Sequence, residues 1–259
     1  MPGAPITRVF ITGASSGIGA ALAAHYAREG AVLGLCARRL GATQALLENL
    51  RAAGTCYPVD VTDIQSVQSA AADFTRRFGT PDIVIANAGV GAGTLTENLE
   101  DLPTFRKIIE TNVLGIVATF QPFLAAMRDR ASGTLVGIAS VAGFRGLPGG
   151  GAYSASKSAA ITYLESLRVE LHGSGISVVT ICPGYIRTPM TAANRYRMPF
   201  LIDADDAALR MARVIAARRR FAVIPWQMAL VSLVLRRLPR WLFDRLFANA
   251  PRKARGLPQ

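Results

Sequence analysis

Short runs of apolar and β-branched residues alternate along the chain with longer segments in which apolar residues recur at helical spacing. The short runs predict seven strands, at 8–12, 31–37, 55–61, 82–86, 133–140, 176–182 and 221–224. The longer segments predict helices at 17–29, 40–53, 63–78, 103–130, 152–172 and 203–218. Repeated strand–helix–strand units with short connections favour right-handed crossovers. The pattern therefore predicts an α/β fold, a doubly wound seven-stranded parallel sheet with helices on both faces.

Length and composition fit one such domain. The chain has 259 residues, 51% of them hydrophobic and 18% charged. Sheets of this class commonly reach this length without dividing, and so apolar a chain excludes a disordered protein. We expect a single sheet domain over 1–225, followed by an extension at 226–259.

The net charge of +12 is concentrated in that last part. Twelve of the 29 Lys and Arg residues lie in 207–259, where Asp244 is the only acid. Only three of the 29 are lysines, namely Lys107, Lys157 and Lys253. A basic segment raises nucleic-acid binding as one hypothesis, but no recognised reading motif accompanies it.

The cysteines and the N-terminus indicate a protein that is not exported. Cys36, Cys56 and Cys182 are odd in number and lack CxxC spacing, which argues against disulfides and against a zinc site. The first residues lack a basic segment followed by an apolar stretch and a cleavage site. We expect a cytoplasmic protein with no bound metal.

The first predicted strand leads directly into a glycine-rich loop and an alanine-rich helix. The loop contains Gly13, Ala14, Ser15, Ser16, Gly17, Ile18 and Gly19. Glycines permit a tight turn and a close approach to a pyrophosphate, whose charge the positive end of the helix offsets. An ordinary strand-to-helix turn is the alternative, since the spacing differs from the commoner G-x-G-x-x-G. The position after the first strand favours a dinucleotide site of the Rossmann type.

The end of the second strand bears on which dinucleotide binds. An acidic residue about 20 residues past the glycines would hold a ribose 2′-hydroxyl, but Arg38 and Arg39 stand there. Two guanidinium groups suit a 2′-phosphate by charge and by planar hydrogen bonding. A solvated loop would also explain them, yet the pair predicts NADP.

Tyr153 and Lys157 open the helix after the fifth strand, at a spacing that puts phenol and ammonium on one helical face. A neighbouring ammonium is expected to lower the pKa of a phenol, which could then exchange a proton with a substrate oxygen. Y-x-x-x-K is common by chance. Its context is therefore decisive: Ser140 ends the fifth strand, where its hydroxyl could hold the substrate oxygen.

These residues resemble the short-chain dehydrogenase/reductase family in its NADP-preferring form, over roughly residues 6 to 225. The resemblance rests on the residues named above and on further matches at Asp60, Val61, Asn87, Ala88, Gly89, Asn112, Pro183, Gly184 and Thr188. It implies that Tyr153 is the general acid/base and that Ser140 orients the carbonyl. Lys157 would bind the nicotinamide ribose and lower the pKa of the phenol, and Asn112 would anchor a water in the proton relay.

The resemblance also implies the remaining cofactor contacts. Asp60 and Val61 would flank the adenine, and Asn87 would support the central sheet and the cofactor. Ile186 and Thr188 would contact the carboxamide. Such proteins often form dimers or tetramers through the helices near 103–130 and 152–172, so a homodimer or homotetramer is expected.

The segments after Thr188 bear on the substrate. The loop at 188–201 is rich in apolar and aromatic side chains, namely Met190, Tyr196, Met198, Pro199 and Phe200, which favours a lipophilic substrate. The apolar run at 222–235 is too short to span a bilayer, which takes about 20 residues. Arginines interleave with Leu, Trp and Phe over 236–247, as in a segment lying on an anionic membrane. Packing over the active-site mouth or a subunit interface explains 226–248 equally well.

The sequence thus predicts an NADP-dependent oxidoreductase that acts on a carbonyl or secondary alcohol of a ketoacyl, sphingoid, steroid-like or retinoid-like compound. It is expected in the cytoplasm, with possible contact to the inner face of a membrane. A non-catalytic NADP-binding sensor or scaffold is the alternative, and its expected signature is loss of Tyr153, Lys157 or Ser140.

Overall fold

The computed structural model describes residues 6–192, 194 and 196–256. The first part of the chain contains β1 (Arg8–Thr12), α1 (Gly17–Arg28), β2 (Val32–Ala37), α2 (Leu40–Leu50), β3 (Gly54–Pro58), α3 (Ile64–Phe78) and β4 (Ile83–Ala86). A 3-10 turn (Leu99–Asp101) then leads into α4 (Leu102–Ile109), a π turn (Glu110–Leu114) and α5 (Gly115–Asp129).

The second part begins with β5 (Gly133–Ile138), a 3-10 turn (Val141–Gly143), α6 (Gly151–Glu170) and β6 (Ile176–Pro183). It continues with β7 (Ile186–Arg187), α7 (Pro189–Ala192), β8 (Ile202–Asp203), α8 (Ala204–Ala216) and β9 (Phe221–Ile224). Two helices follow, α9 (Trp226–Arg237) and α10 (Arg240–Phe247).

Seven strands form one sheet in the order β3-β2-β1-β4-β5-β6-β9, and every neighbouring pair is parallel. The predicted α/β doubly wound fold is therefore confirmed. The strand order reverses between β1 and β4, and ligands of such sheets bind beyond the carboxyl ends of the strands at this point. Thr12 and Ala86, the last residues of β1 and β4, pair there.

Each face of the sheet carries its own apolar core. On one face α3, α5 and α6 cover the strands, and the ring of Phe10 from β1 lies 5.5 Å from Phe74 and 4.9 Å from Phe123 between ring centroids. On the other face α1, α2 and α8 pack on β1 and β2. The strands are covered on both sides, which explains why they are continuous apolar runs in the sequence.

Several predicted boundaries are wrong for local reasons. The third strand ends at Pro58, not at 61, because the Asp60 carboxylate accepts the backbone N–H of Thr62 and turns the chain. The fifth strand ends at Ile138, and Ser140 instead caps a 3-10 turn. The helix predicted at 103–130 is broken by the π turn, and the short β7–β8 pair was not predicted.

The helical run from Leu99 to Asp129 is 31 residues long and apolar enough to cross a membrane by length and composition. Half of its most apolar window is buried inside the protein, and Phe120 and Phe123 belong to the core. We interpret it as a core helix of the sheet domain.

The segment after β9 contacts the sheet domain. Met228 of α9 lies against Gly184, and Arg145 donates hydrogen bonds to the carbonyls of Leu235 and Leu238. The Arg145 guanidinium also lies 4.1 Å from the ring centroid of Phe243 in α10. The division of the chain at residue 225 stays a prediction.

Candidate active site

The glycine-rich loop joins β1 to α1 at the carboxyl edge of the sheet. The side-chain amide of Asn87 donates to the carbonyls of Thr12 and Gly13, each over 3.1 Å, and so ties the loop to β4. Gly19 is required for this packing, because a Cβ there would lie 2.3 Å from the Gly13 carbonyl oxygen. The N-cap residue Ser16 makes no capping hydrogen bond through its side chain. The first turn of α1 thus offers backbone N–H groups to an anion.

The predicted phosphate-selecting residues lie beside this loop. Arg38 and Arg39 follow β2 and are exposed. Nη2 of Arg39 donates to Oγ of Ser15 over 3.3 Å. The structure therefore brings this arginine and the glycine-rich loop together.

Asp60 and Val61 follow β3 at the same edge. The Asp60 carboxylate accepts hydrogen bonds from the Thr62 hydroxyl at 2.8 Å and from the Lys107 ammonium at 3.3 Å. Burial opposes ionisation, but the bonds from Thr62 and Lys107 hold the pKa of this carboxyl below its ordinary value. Val61 is buried against Gly115 of α5. The role of Lys107 was not predicted, because no motif joins it to a residue 47 positions away.

Asn112 lies in the π turn and holds the backbone that follows β4. Its Oδ1 accepts from the N–H of Val90 at 2.8 Å, and its Nδ2 donates to the Val90 carbonyl at 2.9 Å. The same Nδ2 donates to Oγ of Ser156 at 3.0 Å. Ser156 in turn donates to the Tyr153 carbonyl at 2.8 Å. The sequence did not predict the role of Ser156, which links Asn112 to α6.

Tyr153 stands in the first turn of α6, near Ser140 at the end of β5. The hydroxyl of Ser140 accepts the backbone N–H of Ala142 at 3.1 Å, which leaves its own proton free for another acceptor. Tyr153 is half-buried and Ser140 is buried. The two hydroxyl-bearing side chains thus face the same edge of the sheet.

Lys157 is buried one turn further along α6. Its ammonium donates to the Ile138 carbonyl at 2.9 Å and lies 5.9 Å from the ring centroid of Tyr153. Gly89 lies between this ammonium and Asn112, since a Cβ there would be 3.5 Å from Nζ and 3.2 Å from Oδ1. Burial lowers the pKa of Lys157 to about 8.

The polypeptide's own groups do not lower the pKa of Tyr153 as expected. Burial raises it, and the neighbouring Ser140 hydroxyl counteracts this only in part. The prediction that the Lys157 ammonium lowers the pKa of Tyr153 is wrong for the polypeptide alone, because this ammonium is directed at the Ile138 carbonyl. The phenol is therefore protonated at neutral pH.

The remaining predicted cofactor residues follow β6. Gly184 donates its N–H to the Ile224 carbonyl at 2.7 Å, directly after Pro183, and Ile186 is buried in β7. Thr188 lies against Gly17 of the glycine-rich loop. The hydroxyl of Thr191, a residue that was not predicted, donates to the Ile186 carbonyl at 2.6 Å and accepts the Thr188 N–H at 3.0 Å. These two hydrogen bonds fix the segment.

The loop predicted to cover the substrate reaches the same region, although residues 193 and 195 lie outside the described part. The ring of Tyr196 is 6.3 Å from that of Tyr185 between centroids. Burial, with Tyr185 and Tyr153 nearby, raises the pKa of Tyr196 to about 12. Met190 and Phe200 are exposed. Among residues 6–192, 194 and 196–256 no cluster of His, Cys, Asp and Glu could hold a metal ion, and all three cysteines are free.

Comparisons with known proteins show the family of the chain. Residues 7–198 match the family model described as short chain dehydrogenase. An uncharacterized oxidoreductase of Myxococcus xanthus (strain DK1622) is 43% identical over 239 residues, which cover 90% of this chain and 93% of that protein.

Two solved structures of nucleotide complexes share the fold. A short chain dehydrogenase/reductase from Burkholderia phymatum in complex with NAD has a TM-score of 0.82 and 25% identity, and the match covers 97% of this chain and 98% of that one. An alcohol dehydrogenase from the archaeon Thermococcus sibiricus, complexed with 5-hydroxy-NADP, has a TM-score of 0.76 and 26% identity over 85% of this chain and 96% of that one. The chain therefore belongs to the short chain dehydrogenase family of oxidoreductases.

Proposed function

We propose that the protein is an NADP(H)-dependent oxidoreductase that interconverts a carbonyl and a secondary alcohol in a moderately lipophilic substrate of the ketoacyl, sphingoid, steroid-like or retinoid-like kind. The observation that carries the proposal is the position of Tyr153. It lies half-buried near Ser140, one turn from Lys157, at the edge where α1 presents its free N-terminus.

The residues at this edge fit a nicotinamide dinucleotide. The loop from Gly13 to Gly19, with its uncapped helix end, would hold the pyrophosphate. Asp60 and Val61 would flank the adenine, and Asn87, Ala88 and Gly89 would support the middle of the cofactor. Ile186 and Thr188, after Pro183 and Gly184, would contact the carboxamide. When bound, the nicotinamide supplies a hydride to the carbonyl carbon or accepts one from the alcohol.

Side chains of the protein bind the carbonyl oxygen of the substrate and supply its proton. Ser140 has a proton free to donate, so its hydroxyl holds the carbonyl oxygen in place. Tyr153 is protonated at neutral pH because burial raises its pKa, and it gives its proton to that oxygen as negative charge develops. Lys157 binds the ribose, and its ammonium lies 5.9 Å from the ring centroid of Tyr153. Asn112 holds the backbone beside this ammonium. The water-anchoring role of Asn112 stays a prediction.

The test is a screen of NADPH oxidation over ketones and aldehydes of graded chain length. Tyr153→Phe is expected to lower kcat about 10²- to 10⁴-fold on any active substrate, the usual contribution of a general acid. Tyr163→Phe is the matched control, since it removes a partly buried phenol from the same helix. Activity that survives in Tyr153→Phe would overturn the mechanism. NADPH binding without turnover of any carbonyl would favour the sensor.

Arg38 and Arg39 support the choice of NADP over NAD. Both are exposed directly after β2, and Arg39 donates to Ser15 of the glycine-rich loop. Two guanidinium groups suit a phosphate. We expect the double variant Arg38→Ala/Arg39→Ala to lower the ratio of kcat/KM for NADPH to that for NADH by about 10- to 100-fold. Arg28→Ala, an exposed arginine at the far end of α1, is the control. An unchanged ratio, or a wild type that prefers NADH, would refute the assignment.

A second proposal concerns α9 and α10. Trp226, Leu230, Leu233 and Val234 are exposed along one stripe of α9. Four exposed arginines lie in the last turn of α9 and in α10, namely Arg236, Arg237, Arg240 and Arg245. Trp241 and Leu246 of α10 are exposed as well. Apolar side chains flanked by arginines complement an anionic lipid surface. We propose that this face binds the surface of such a membrane.

Vesicle co-sedimentation tests this surface. Wild type should bind phosphatidylserine vesicles more than phosphatidylcholine vesicles, and Leu230→Ser/Val234→Ser should lose most of that binding. Leu114→Ser, at an exposed leucine of the π turn, is the control. Point variants are needed because deleting α9 would also remove Met228 from Gly184. Equal binding by wild type and the double variant would refute the proposal.

The expected homodimer or homotetramer stays a prediction. The helices it would use expose Leu102, Leu114 and Val169.

A further inference from the structure

Residues 251–256, which we call the strap, lie against the loop that follows β4. The N–H of Gly93 donates to the Ala254 carbonyl at 2.7 Å, and Gly93 and Arg255 form a parallel β-bridge. A Cβ at Gly93 would lie 2.2 Å from the Lys253 carbonyl oxygen. This approach between two backbones is possible only at a glycine.

An ion pair fixes the strap to the sheet domain. Nε and Nη2 of Arg255 donate to the two carboxylate oxygens of Asp101 at 3.0 and 3.1 Å. Asp101 is buried and also accepts the N–H of Leu95 at 2.8 Å. On the other side, the aliphatic carbons of Arg252 pack on Gly149. The strap is therefore attached at both ends of Lys253.

Lys253 is the one residue of the strap that is turned inward, since the other five are exposed. Its ammonium lies 5.2 Å from the ring centroid of Tyr153. Gly91 makes room for this contact, because a Cβ there would lie 2.9 Å from Nζ of Lys253 and 2.9 Å from Cδ2 of Tyr153. The strap thus places a positive charge beside the proposed general acid.

This ammonium has no counter-ion within the described part of the chain. No Asp or Glu oxygen of those residues lies within 4 Å of Nζ, and no hydrogen bond from Nζ is formed among them. Burial lowers the pKa of Lys253 below its ordinary value. A partly desolvated cation costs free energy unless it is paired. The chain's other two lysines, in contrast, donate to Asp60 and to the Ile138 carbonyl.

We propose that Lys253 belongs to the substrate site and binds a carboxylate of the substrate, so that the preferred carbonyl compounds are keto acids with an apolar chain. One ammonium balances one negative charge, which fits a carboxylate better than a phosphate dianion. Nζ of Lys253 lies 5.2 Å from the centroid of the Tyr153 ring. The carboxylate that Nζ binds is therefore separated by only a few bonds from the carbonyl that Tyr153 protonates. The apolar part of the substrate then meets the loop with Tyr196. This assignment depends on the proposed carbonyl chemistry.

A purely structural role is the rival explanation, since an ammonium over a tyrosine ring is also a cation–π contact. The two roles differ in what they predict for charge. If Lys253 only packs on Tyr153, its loss should affect every carbonyl substrate equally. If it binds a carboxylate, its loss should lower activity on acids more than activity on their esters.

The experiment compares 2-oxo-, 3-oxo- and 4-oxo-octanoic acids with their methyl esters as substrates of the full-length protein. In wild type, kcat/KM should be higher for at least one acid than for its ester. Lys253→Met should lower the ratio of kcat/KM for that acid to kcat/KM for its ester about 10- to 100-fold, as for the loss of a hydrogen bond to a charged group. Lys253→Arg should keep most of the preference.

Arg252→Met is the matched control, because it removes the neighbouring positive charge but keeps aliphatic carbons against Gly149. It should leave the ratio of acid to ester unchanged. A wild type with no preference for any acid, or an equal loss of acid and ester activity in Lys253→Met, would overturn the assignment of Lys253. A wild type that reduces no acid, ester or simple ketone would instead overturn the proposed function.

Discussion

Two regions of the molecule meet at Tyr153 but are held by different kinds of contact. One is the set of proposed catalytic residues Asn112, Ser140, Tyr153 and Lys157, which we call the floor, and the other is the strap at 251–256. Each floor residue lies in or next to a strand or helix of the sheet domain and is hydrogen-bonded to a main-chain group or to Ser156. The strap has no regular secondary structure beyond one bridge and is held mainly through one side chain, Arg255, which pairs with Asp101 and, at 3.7 Å, with the exposed Glu100.

This difference matches two different tasks, proton transfer in the floor and selection of the substrate by the strap. A proton-transfer group must be held rigidly, since small displacements cost large factors in rate. A group that selects among substrates can lie on a segment that detaches, because it acts through binding alone. We expect changes in the floor to affect stability and every substrate, and changes in the strap to affect attachment and choice of substrate.

The largest expected effect is at Lys157. Its pKa is about 8 in the folded protein, against 10.5 as the ordinary value, so the unfolded chain binds more protons between these pH values. The free energy of unfolding should therefore rise with pH across this window, by on the order of 3 kcal/mol. Lys157→Met should abolish activity, be more stable than wild type at pH 7 and lack this rise.

Urea unfolding at pH 7 and at pH 10 checks this prediction, with Lys107→Met as the control for a less buried lysine. An equal rise with pH in wild type and Lys157→Met would show that the ammonium is not a buried charge.

A smaller effect is expected at Ser156. Ser156→Ala removes the acceptor of the Asn112 amide and the donor to the Tyr153 carbonyl, both at a fully buried position. Leaving one buried donor unsatisfied should cost about 1–2 kcal/mol of unfolding free energy. Denaturant titration measures it, and Ser158→Ala, exposed on the same helix, should be near neutral. If both variants have the same free energy of unfolding, the hydrogen bonds from Asn112 through Ser156 to α6 do not stabilise the fold.

The smallest expected effect is on the strap. Hydrogen bonds from Arg255 hold the pKa of Asp101 below its ordinary value, so this attachment is present near neutral pH and is lost as pH falls through that depressed pKa. Asp101→Asn keeps an acceptor for Leu95 but loses the charge. Tryptic cleavage after Arg252 and Lys253 should become several-fold faster at pH 7.5.

Mass spectrometry of the released C-terminal peptide gives the rate of cleavage. The control is Glu100→Gln, because Glu100 is 3.7 Å from Arg255 and almost fully exposed. A rate that does not change in Asp101→Asn would mean that the ion pair does not hold the strap.

Part of the candidate site could be predicted from the sequence because its residues have local signatures. The glycine-rich loop follows a strand, Ser140 follows another, and Tyr153 and Lys157 are four residues apart on one helix. The supporting residues have none: Lys107 reaches Asp60 across 47 positions, and Arg255 reaches Asp101 across 154. The parallel, doubly wound sheet followed from the alternation of strands and helices, whereas the π turn at Asn112 leaves no trace in apolar periodicity. The direction of the Tyr153 pKa depended on burial, which residue spacing alone does not give.

The course of the strap also determines where a bulky label can be attached. Its residues lie against Gly93 and Asp101, beside Tyr153. A label within 251–256 would compete with the strap for its place. β1 begins at Arg8, at the amino edge of the parallel sheet and so opposite the candidate site. A label at that edge of the sheet leaves both the floor and the strap untouched.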